Sequence, residues 1–383
     1  MENITRFNVV FNCTVNVVGG AVQNAANFIK QVEINHRCDD FRVYYCLSYP
    51  VYQQVKDVLL EGTYSVFDSP AKSLKVRKGI RAIVRDLNPS IVYTSAGPAY
   101  VKFDCHHIMG CSNPYLLEPS SYALKLGNSF WQIIKRRFHT AYQSHYIKHA
   151  DSYIFQTKTS QESFCRKFNC DDYFIVNNAI SQKFVQALSD TSISKFNHRC
   201  STLFVPSAYY KHKNLEVTLY ALSILNKDNP GGYKLIFTLP SDIYRNFIEP
   251  VANKLKLQDY VENIGPFTNE QASDLYLKYD VVIQPSVMEV FSTTYLEAIS
   301  LLKPLVVSDL MFAHEICEDY PYYFKSSDPD SLAEAVIASA NFNEQLTKKK
   351  DISTGIINKY GCQSLRTKHL VDILKDILRV KDV

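Results

Sequence analysis

Short apolar runs and longer amphipathic stretches alternate along the whole of this chain, and no other feature limits its fold as much. "RFNVVFNC" reads as a buried strand, and "AVQNAANFIKQVE" has helical spacing. "FRVYYCLS", "SLKVRKGIRAIVRDL" and "PSIVYTSA" continue as strand, helix and strand, with two more short strands in "DSYIFQT" and "YFIVNNA". The second half repeats the style from "STLFVPS" through "NLEVTLYALSILNK", "YKLIFTL", "IYRNFIEPVANKLK", "VENIGPF" and "NEQASDLYLKY" to "DVVIQPS". Strands and helices alternating at this spacing predict α/β architecture, with parallel sheets covered on both faces. A length of 383 residues favours two domains. The seam is "NNAISQKFVQALSDTSISKFNHRC", which is Ser-rich and loses strong periodicity. The expected division is an N-terminal domain over 1–178, a linker over 179–200 and a second domain over 201–365. A last helix over 366–383 should return toward the first domain. Two doubly wound, Rossmann-like domains facing across a cleft would bind ligands beyond the C-terminal strand ends.

Composition narrows the function. Hydrophobic residues make up 46% of the chain, enough for two cores, yet no run of eighteen apolar residues occurs. "MENITRFNVVFNC" lacks the charged-then-apolar layout of a signal peptide, so a cytoplasmic protein is expected. The ten cysteines are scattered without a CxxC pair and read as reduced thiols. "DCHHIMGC" offers zinc-type ligands in no zinc spacing and reads as a core strand. Residues 1–190 carry 21 Lys+Arg against 15 Asp+Glu, and the remainder 21 against 23. That asymmetry is too mild for a dedicated nucleic-acid binder and suits a first half that meets an anionic surface.

The densest chemistry lies in "QPSVMEVFSTTYLEAISLLKPLVVSD", residues 284–309. A strand ends, a polar turn follows, and a helix begins. Free N–H groups at such a helix start make an anion site, helped by the helix dipole. Ser292, Thr293 and Thr294 add hydroxyls, and a diphosphate would fit there. Glu289 and Glu297 would be repelled by that anion, so sugar hydroxyls are their natural partners. A plainer reading stands beside this one: Thr294 to Glu297 form a capping box, and Glu289 is an ordinary loop acid.

The stretch E-x7-E, followed by a Pro-led apolar strand, resembles the hallmark of the family 4 glycosyltransferases. Other segments resemble that family in the same order along the chain: "NVVGGAVQNAANFI", "HADSYIFQTKTSQESF", "VNNAIS", "YYKHKNLEVTLYAL", "NIGPFTNEQASDLY" and "SSDPDSLAEAV". The resemblance implies the GT-B fold and a retaining, metal-independent transferase with no cofactor. Glu289 would bind hydroxyls of the donor sugar and Glu297 the ribose. The amides and hydroxyls of Phe291, Ser292 and Thr293 would hold the distal phosphate. Lys213 would neutralise charge developing on the diphosphate leaving group. Gly19 and Gly20 would let a loop approach the phosphates closely, and Pro266 and Phe267 would pack the base. Residue by residue the plain alternatives are a solvated cation for Lys213, a turn for the glycines and a core position for Phe267.

The sequence also departs from the family. Ser207-Ala208 stand near the usual Gly-Arg, which removes one cation; Lys211 and His212 are the candidates to replace it. Ser292 stands where a Gly is usual. The strand-end His of many members is represented only by His106 and His107, which come early in their strand; His107 is taken as the catalytic candidate, with Cys111 or Ser112 nearer the family position. Asp328-Pro329-Asp330 has the D-x-D form of a metal site but precedes "SLAEAV", so a helix cap explains it better.

From Pro119 to Ala150 there are five Lys/Arg and no Asp or Glu. Lys135, Arg136 and Arg137 interleave with aromatics, including Trp131, the single tryptophan. Lys78, Arg81 and Arg85 add a basic helix face. An anionic membrane surface or an acceptor is one partner for such a segment; a solvated helix with a core tryptophan is the other reading. The resemblance as a whole implies transfer of a hexose from a GDP- or UDP-sugar to a glycan or a polyprenyl-diphosphate-linked glycan. Its setting would be assembly of O-antigen, capsule or lipopolysaccharide at the inner face of a bacterial membrane. The rivals are a non-catalytic nucleotide-sugar or glycan binder and a nucleotide-sugar epimerase or hydrolase.

Overall fold

A computed structural model describes residues 7–36, 41–117, 119–190, 202–227 and 231–381. The chain forms two compact units. The first comprises 1–119, 131–178 and 363–383, and the second 120–130 and 179–362.

The first unit is built on seven strands: β1 (Val9–Cys13), β2 (Val43–Ser48), β3 (Tyr64–Phe67), β4 (Ile91–Thr94), β5 (His106–Gly110), β6 (Ser152–Phe155) and β7 (Tyr173–Ile175). They lie in the order β3-β2-β1-β4-β5-β6-β7, all parallel. The second unit uses β8 (Thr202–Val205), β9 (Lys234–Phe237), β10 (Val261–Asn263), β11 (Val281–Gln284), β12 (Leu305–Ser308) and β13 (Tyr322–Phe324). Their order is β10-β9-β8-β11-β12-β13, again all parallel. Each sheet therefore reverses its winding once, at β1/β4 and at β8/β11, and a doubly wound sheet opens its ligand crevice at that reversal.

The central strands are apolar on both faces because helices cover both, as a parallel sheet requires. β2, β4, β11 and β12 are buried along their whole length. The edges β3 and β13 are short and half-buried, and neither is among the strands read from the sequence. "IYRNFIEPVANKLK" is not one regular helix: a widened turn over Tyr244–Ile248 precedes Pro250, which cannot donate to the ladder.

The expected linker is partly something else. Gln182–Asp190 forms a helix, and Ile180 and Phe184 are buried in the second unit's core beside Tyr276 and Tyr295. Val185 packs against the same core. The rest of the expected linker, 191–200, lies outside the described residues. The helix Gln363–Lys381 packs in the first unit, where Leu370, Val371, Leu374 and Leu378 join Phe11, Tyr45 and Val51. Arg366, buried on that helix, reaches the Tyr93 hydroxyl of β4; burial holds its pKa below the usual guanidinium range.

Candidate active site

In the second unit the two loops that leave β8 and β11 flank the point where the sheet reverses. The β8 loop carries Lys213 in a short turn, Lys211–Lys213, and the β11 loop carries Glu289. Val287 N–H donates to the His212 carbonyl at 2.8 Å and ties the loops together. Lys213 Nζ donates to Glu289 Oε1 in a close ion pair; the side chains are 15% and 9% exposed. Gln284, the last residue of β11, donates from Nε2 to Glu289 Oε1 and to Ser292 Oγ, both at 3.3 Å. Lys213 is thus not a solvated loop cation, and Glu289 is not a free surface acid.

The helix after this loop runs Thr293–Ser300, with Ser292 as N-cap and no side-chain bond closing the cap. The capping box expected from Thr294 and Glu297 does not form. Glu297 instead accepts from the Tyr276 hydroxyl at 2.7 Å and from the Thr293 hydroxyl. Burial raises its pKa above the usual carboxylate range, and those two donors oppose the rise. Thr293's hydroxyl lies where it opposes the rise in the Glu297 pKa, and the Phe291 ring packs against Tyr360 at 5.5 Å. What this turn can offer an anion is its backbone N–H groups and Ser292. Three buried polar atoms here have no protein partner: Gln284 Oε1, Ser286 Oγ and Tyr295 OH. Buried polar atoms rarely stay unpaired, so they point to a polar ligand or water at this turn.

The remaining donor-site candidates scatter. Pro266 and Phe267 line a cavity of about 350 Å³ with Gly265 and Gln271, and the Phe267 ring lies 6.5 Å from Phe204, half in the core. Ser207 is buried and donates to the Ala208 carbonyl, so it replaces no cation. Lys211 does not replace one either. Its Nζ donates to the Tyr209 hydroxyl and sits 5.3 Å from the Phe247 ring centre. His212 stacks on Tyr210. Asp328 caps the helix Pro329–Ala338 by accepting from Ser331 N–H, a structural use of the D-x-D sequence.

In the first unit Gly19 has φ +61° and opens the helix Gly19–Gln31 after the short loop that leaves β1. That left-handed angle is what demands glycine there; Gly20 has open space around its Cα. His107 is corrected from a catalytic to a structural residue. It is 1% exposed inside β5, and its Nε2 is 2.8 Å from Thr94 Oγ1, which accepts from Asn12 Nδ2. Burial pushes its pKa down to about 4, so it is neutral at pH 7 and closed to substrate. Cys111 is buried as well, its thiol pushed up to about 12. Trp131 is 75% exposed, which excludes a core tryptophan; Lys135, Arg136 and Arg137 are exposed with it on the helix Phe130–Ile147.

Sequence reasoning missed Gln284 and Tyr276. Gln284 had a signal, a polar amide ending an otherwise apolar strand. Tyr276 had one too, since a buried tyrosine needs a partner for its hydroxyl.

Comparison with known proteins agrees with the fold. The chain has the fold of GT-B glycosyltransferases. It superposes on a glycosyltransferase from Rickettsia africae with a TM-score of 0.71 at 16% identity, covering 97% of this chain and 99% of that one. It also superposes on Anabaena HepE bound to UDP and glucose, with a TM-score of 0.69 at 12% identity over 96% and 99%. More narrowly, residues 192–350 match the family glycosyl transferases group 1. An uncharacterized glycosyltransferase of Methanocaldococcus jannaschii is 29% identical over 184 residues, 45% of this chain and 44% of its own. The gpi3 subunit of the Schizosaccharomyces pombe phosphatidylinositol N-acetylglucosaminyltransferase is 21% identical over 181 residues, 45% and 39% of the two chains. The match spans less than half the length of these curated relatives.

Proposed function

We propose that this protein is a retaining, metal-independent glycosyltransferase. It moves a hexose from a nucleoside diphosphate sugar to a hydroxyl of a glycan or a lipid-linked glycan. The observation that carries the reading is the Lys213–Glu289 pair at the β8/β11 reversal, beside the N-terminus of the helix Thr293–Ser300. A lysine, a carboxylate and a free helix start are the three groups a diphosphate sugar needs. Without ligand, Lys213 and Glu289 neutralise one another. With donor bound, Lys213 turns to the diphosphate, and Glu289 is released to accept hydrogen bonds from the sugar hydroxyls. The backbone amides at Ser292 and Thr293 take the distal phosphate. Glu297, fixed by Tyr276, accepts from the ribose hydroxyls.

The acceptor oxygen then attacks the anomeric carbon from the side the diphosphate is leaving. The C–O bond to the diphosphate breaks with its electron pair, and the departing phosphate oxygen takes the acceptor's proton. Lys213 stabilises the charge that appears there. UDP-glucose heads the donor candidates, because HepE, which shares this fold, is held with UDP-glucose; GDP-sugars follow. Surface polysaccharide assembly is the setting we favour.

A second reading rests on the missing cation near Ser207 and the diversion of Lys211 to Tyr209. It is a binder of nucleotide sugars without turnover. A panel of nucleotide sugars separates the two by thermal stabilisation and release of free nucleoside diphosphate. A transferase is stabilised by one donor and turns it over slowly without acceptor, and Lys213→Ala sharply lowers that turnover. A ligand at a hundredfold excess over Kd stabilises by about 2.7 kcal/mol. Stabilisation without turnover under any acceptor would favour the binder, and no response to any donor would end both readings.

A further inference from the structure

The helix Phe130–Ile147 exposes the wrong side chains for an ordinary surface helix. Of its residues only Ile147 is buried. Ile133, Thr140 and Ile147 recur every seven residues and form the inward side. Opposite them, Trp131, Lys135 and Phe138 follow one another at helical spacing as an outward stripe, and Tyr142 continues it into a cluster with Tyr100 and Tyr146. Trp131 is 75% exposed, Phe138 74% and Tyr142 41%. Arg137 and Lys148 flank the stripe, both exposed.

The stripe is held in place. Arg77, on the helix Leu74–Leu87, donates to Tyr142 at 2.6 Å and to Tyr146 at 2.8 Å. Its guanidinium lies 5.2 Å from the Tyr100 ring centre. The two helices are thereby fastened together, and the second brings exposed Lys78, Arg81 and Arg85. Positive charge gathers at their junction: burial, then the charges of His145, Lys102 and Arg81, lower the pKa of His149. No Asp or Glu occurs between residues 119 and 150, and on the neighbouring helix only Asp86 stands beside these cations, next to Arg85.

Large aromatics exposed two turns apart on one face of a basic helix mark a surface that something covers. Here the cover must be anionic, to suit the lysines and arginines, and apolar just beneath, to suit Trp131 and Phe138. A bilayer of acidic lipids has those two layers within a few ångströms of each other. We infer that this helix docks the protein on an anionic lipid surface, Trp131 and Phe138 entering the headgroup boundary while Lys135, Arg137 and the helix Leu74–Leu87 meet the phosphates. Among the described residues no helix is long and apolar enough to cross a membrane, so the attachment is interfacial. The inference goes beyond the transferase reading and needs no donor for its test.

Trp131 is the only tryptophan in the chain and reports on its own surroundings. The wild-type protein is titrated with vesicles of phosphatidylcholine alone and with vesicles containing phosphatidylglycerol, following Trp emission and co-sedimentation. Docking gives a blue shift and sedimentation with the acidic vesicles only, both reversed by high salt. Phe138→Ser, which keeps the probe, weakens vesicle binding by about tenfold or more. Lys135→Glu with Arg137→Glu weakens it by at least about tenfold. Circular dichroism checks that each variant is folded; all three positions are exposed. The inference is overturned by equal binding to both vesicle types, by variants that bind like the wild type, or by no shift at all. It is also overturned if a soluble acidic polymer gives the shift and acidic vesicles do not, which would make the partner a polyanion in solution.

Discussion

Both units keep a polar network beside the place where their sheet reverses, and the two networks differ in what they leave open. In the first unit Asn12, Thr94 and His107 link the ends of β1 and β4 to β5, each 1% exposed or less. In the second unit Gln284, Glu289 and Lys213 link β11 to the loop after β8, with Lys213 15% exposed and three buried polar atoms still unpaired nearby. The titratable residues alone do not distinguish a site from a scaffold. The distinction lies in access: the first network is closed to solvent and holds strands together, even though His107 Nδ1 also lacks a partner, while the second keeps Lys213 partly exposed.

The largest effect should come from the open network. Lys213→Ala is expected to lower the rate of nucleoside diphosphate release by about 10²- to 10³-fold, the usual cost of losing one transition-state donor. Steady-state kinetics with the responding donor checks this; an unchanged rate would remove the comparison's main support. Glu289→Gln should cost less, about ten- to a hundredfold in kcat/KM, the worth of hydrogen bonds to a charged group. That loss should grow for donors with more free hydroxyls on the sugar.

The sealed network predicts a pH effect on stability in place of an effect on rate. His107 has its pKa pushed down to about 4 from an ordinary value of 6.5. Between those values the unfolded chain binds a proton that the folded chain does not. Stability from this group is therefore intact above pH 6.5 and falls as pH drops toward 4, by up to about 1.4 kcal/mol per pH unit. Urea unfolding at a series of pH values should show this slope flattened in His107→Gln, with the donor reaction unchanged at pH 7. A large loss of turnover in that variant would mean the network is not sealed. The smallest effect is that of Tyr276→Phe, about 1 kcal/mol of stability with a modest rise in KM for the donor, measured by the same two assays.

Much of the architecture was legible because strand and helix periods are carried by apolar side chains, and both sheets are rich in them. The edges β3 and β13 were not legible, whereas the equally short, half-exposed edges β7 and β10 were, so length and exposure alone do not decide legibility. The site was legible in its residues more than in its bonding. Lys213, Glu289, Ser292 and Glu297 all stand around one reversal of the sheet, but their partners Gln284 and Tyr276 come from other turns of the fold. Thr293 and Glu297 bond each other across one helical turn, a pairing that competes with the capping box and that spacing cannot decide. For Trp131 the sequence left core and surface equally open, since an amphipathic helix with aromatics on one side and Ile on the other has two apolar directions.

The helix Gln363–Lys381 has a consequence for synthesis. Leu370, Val371, Leu374 and Leu378 are one wall of the first unit's core, yet the ribosome makes them after everything in the second unit. At ordinary translation speeds of 5–20 residues per second, the strands of the first unit wait roughly ten to forty seconds for that wall. The second unit, built almost wholly from 179–362 with the short segment 120–130, is complete by Cys362 and has only to leave the exit tunnel. The half of the protein that is translated first is therefore the half that finishes folding last, and its unfinished apolar face is what a chaperone would meet on the nascent chain.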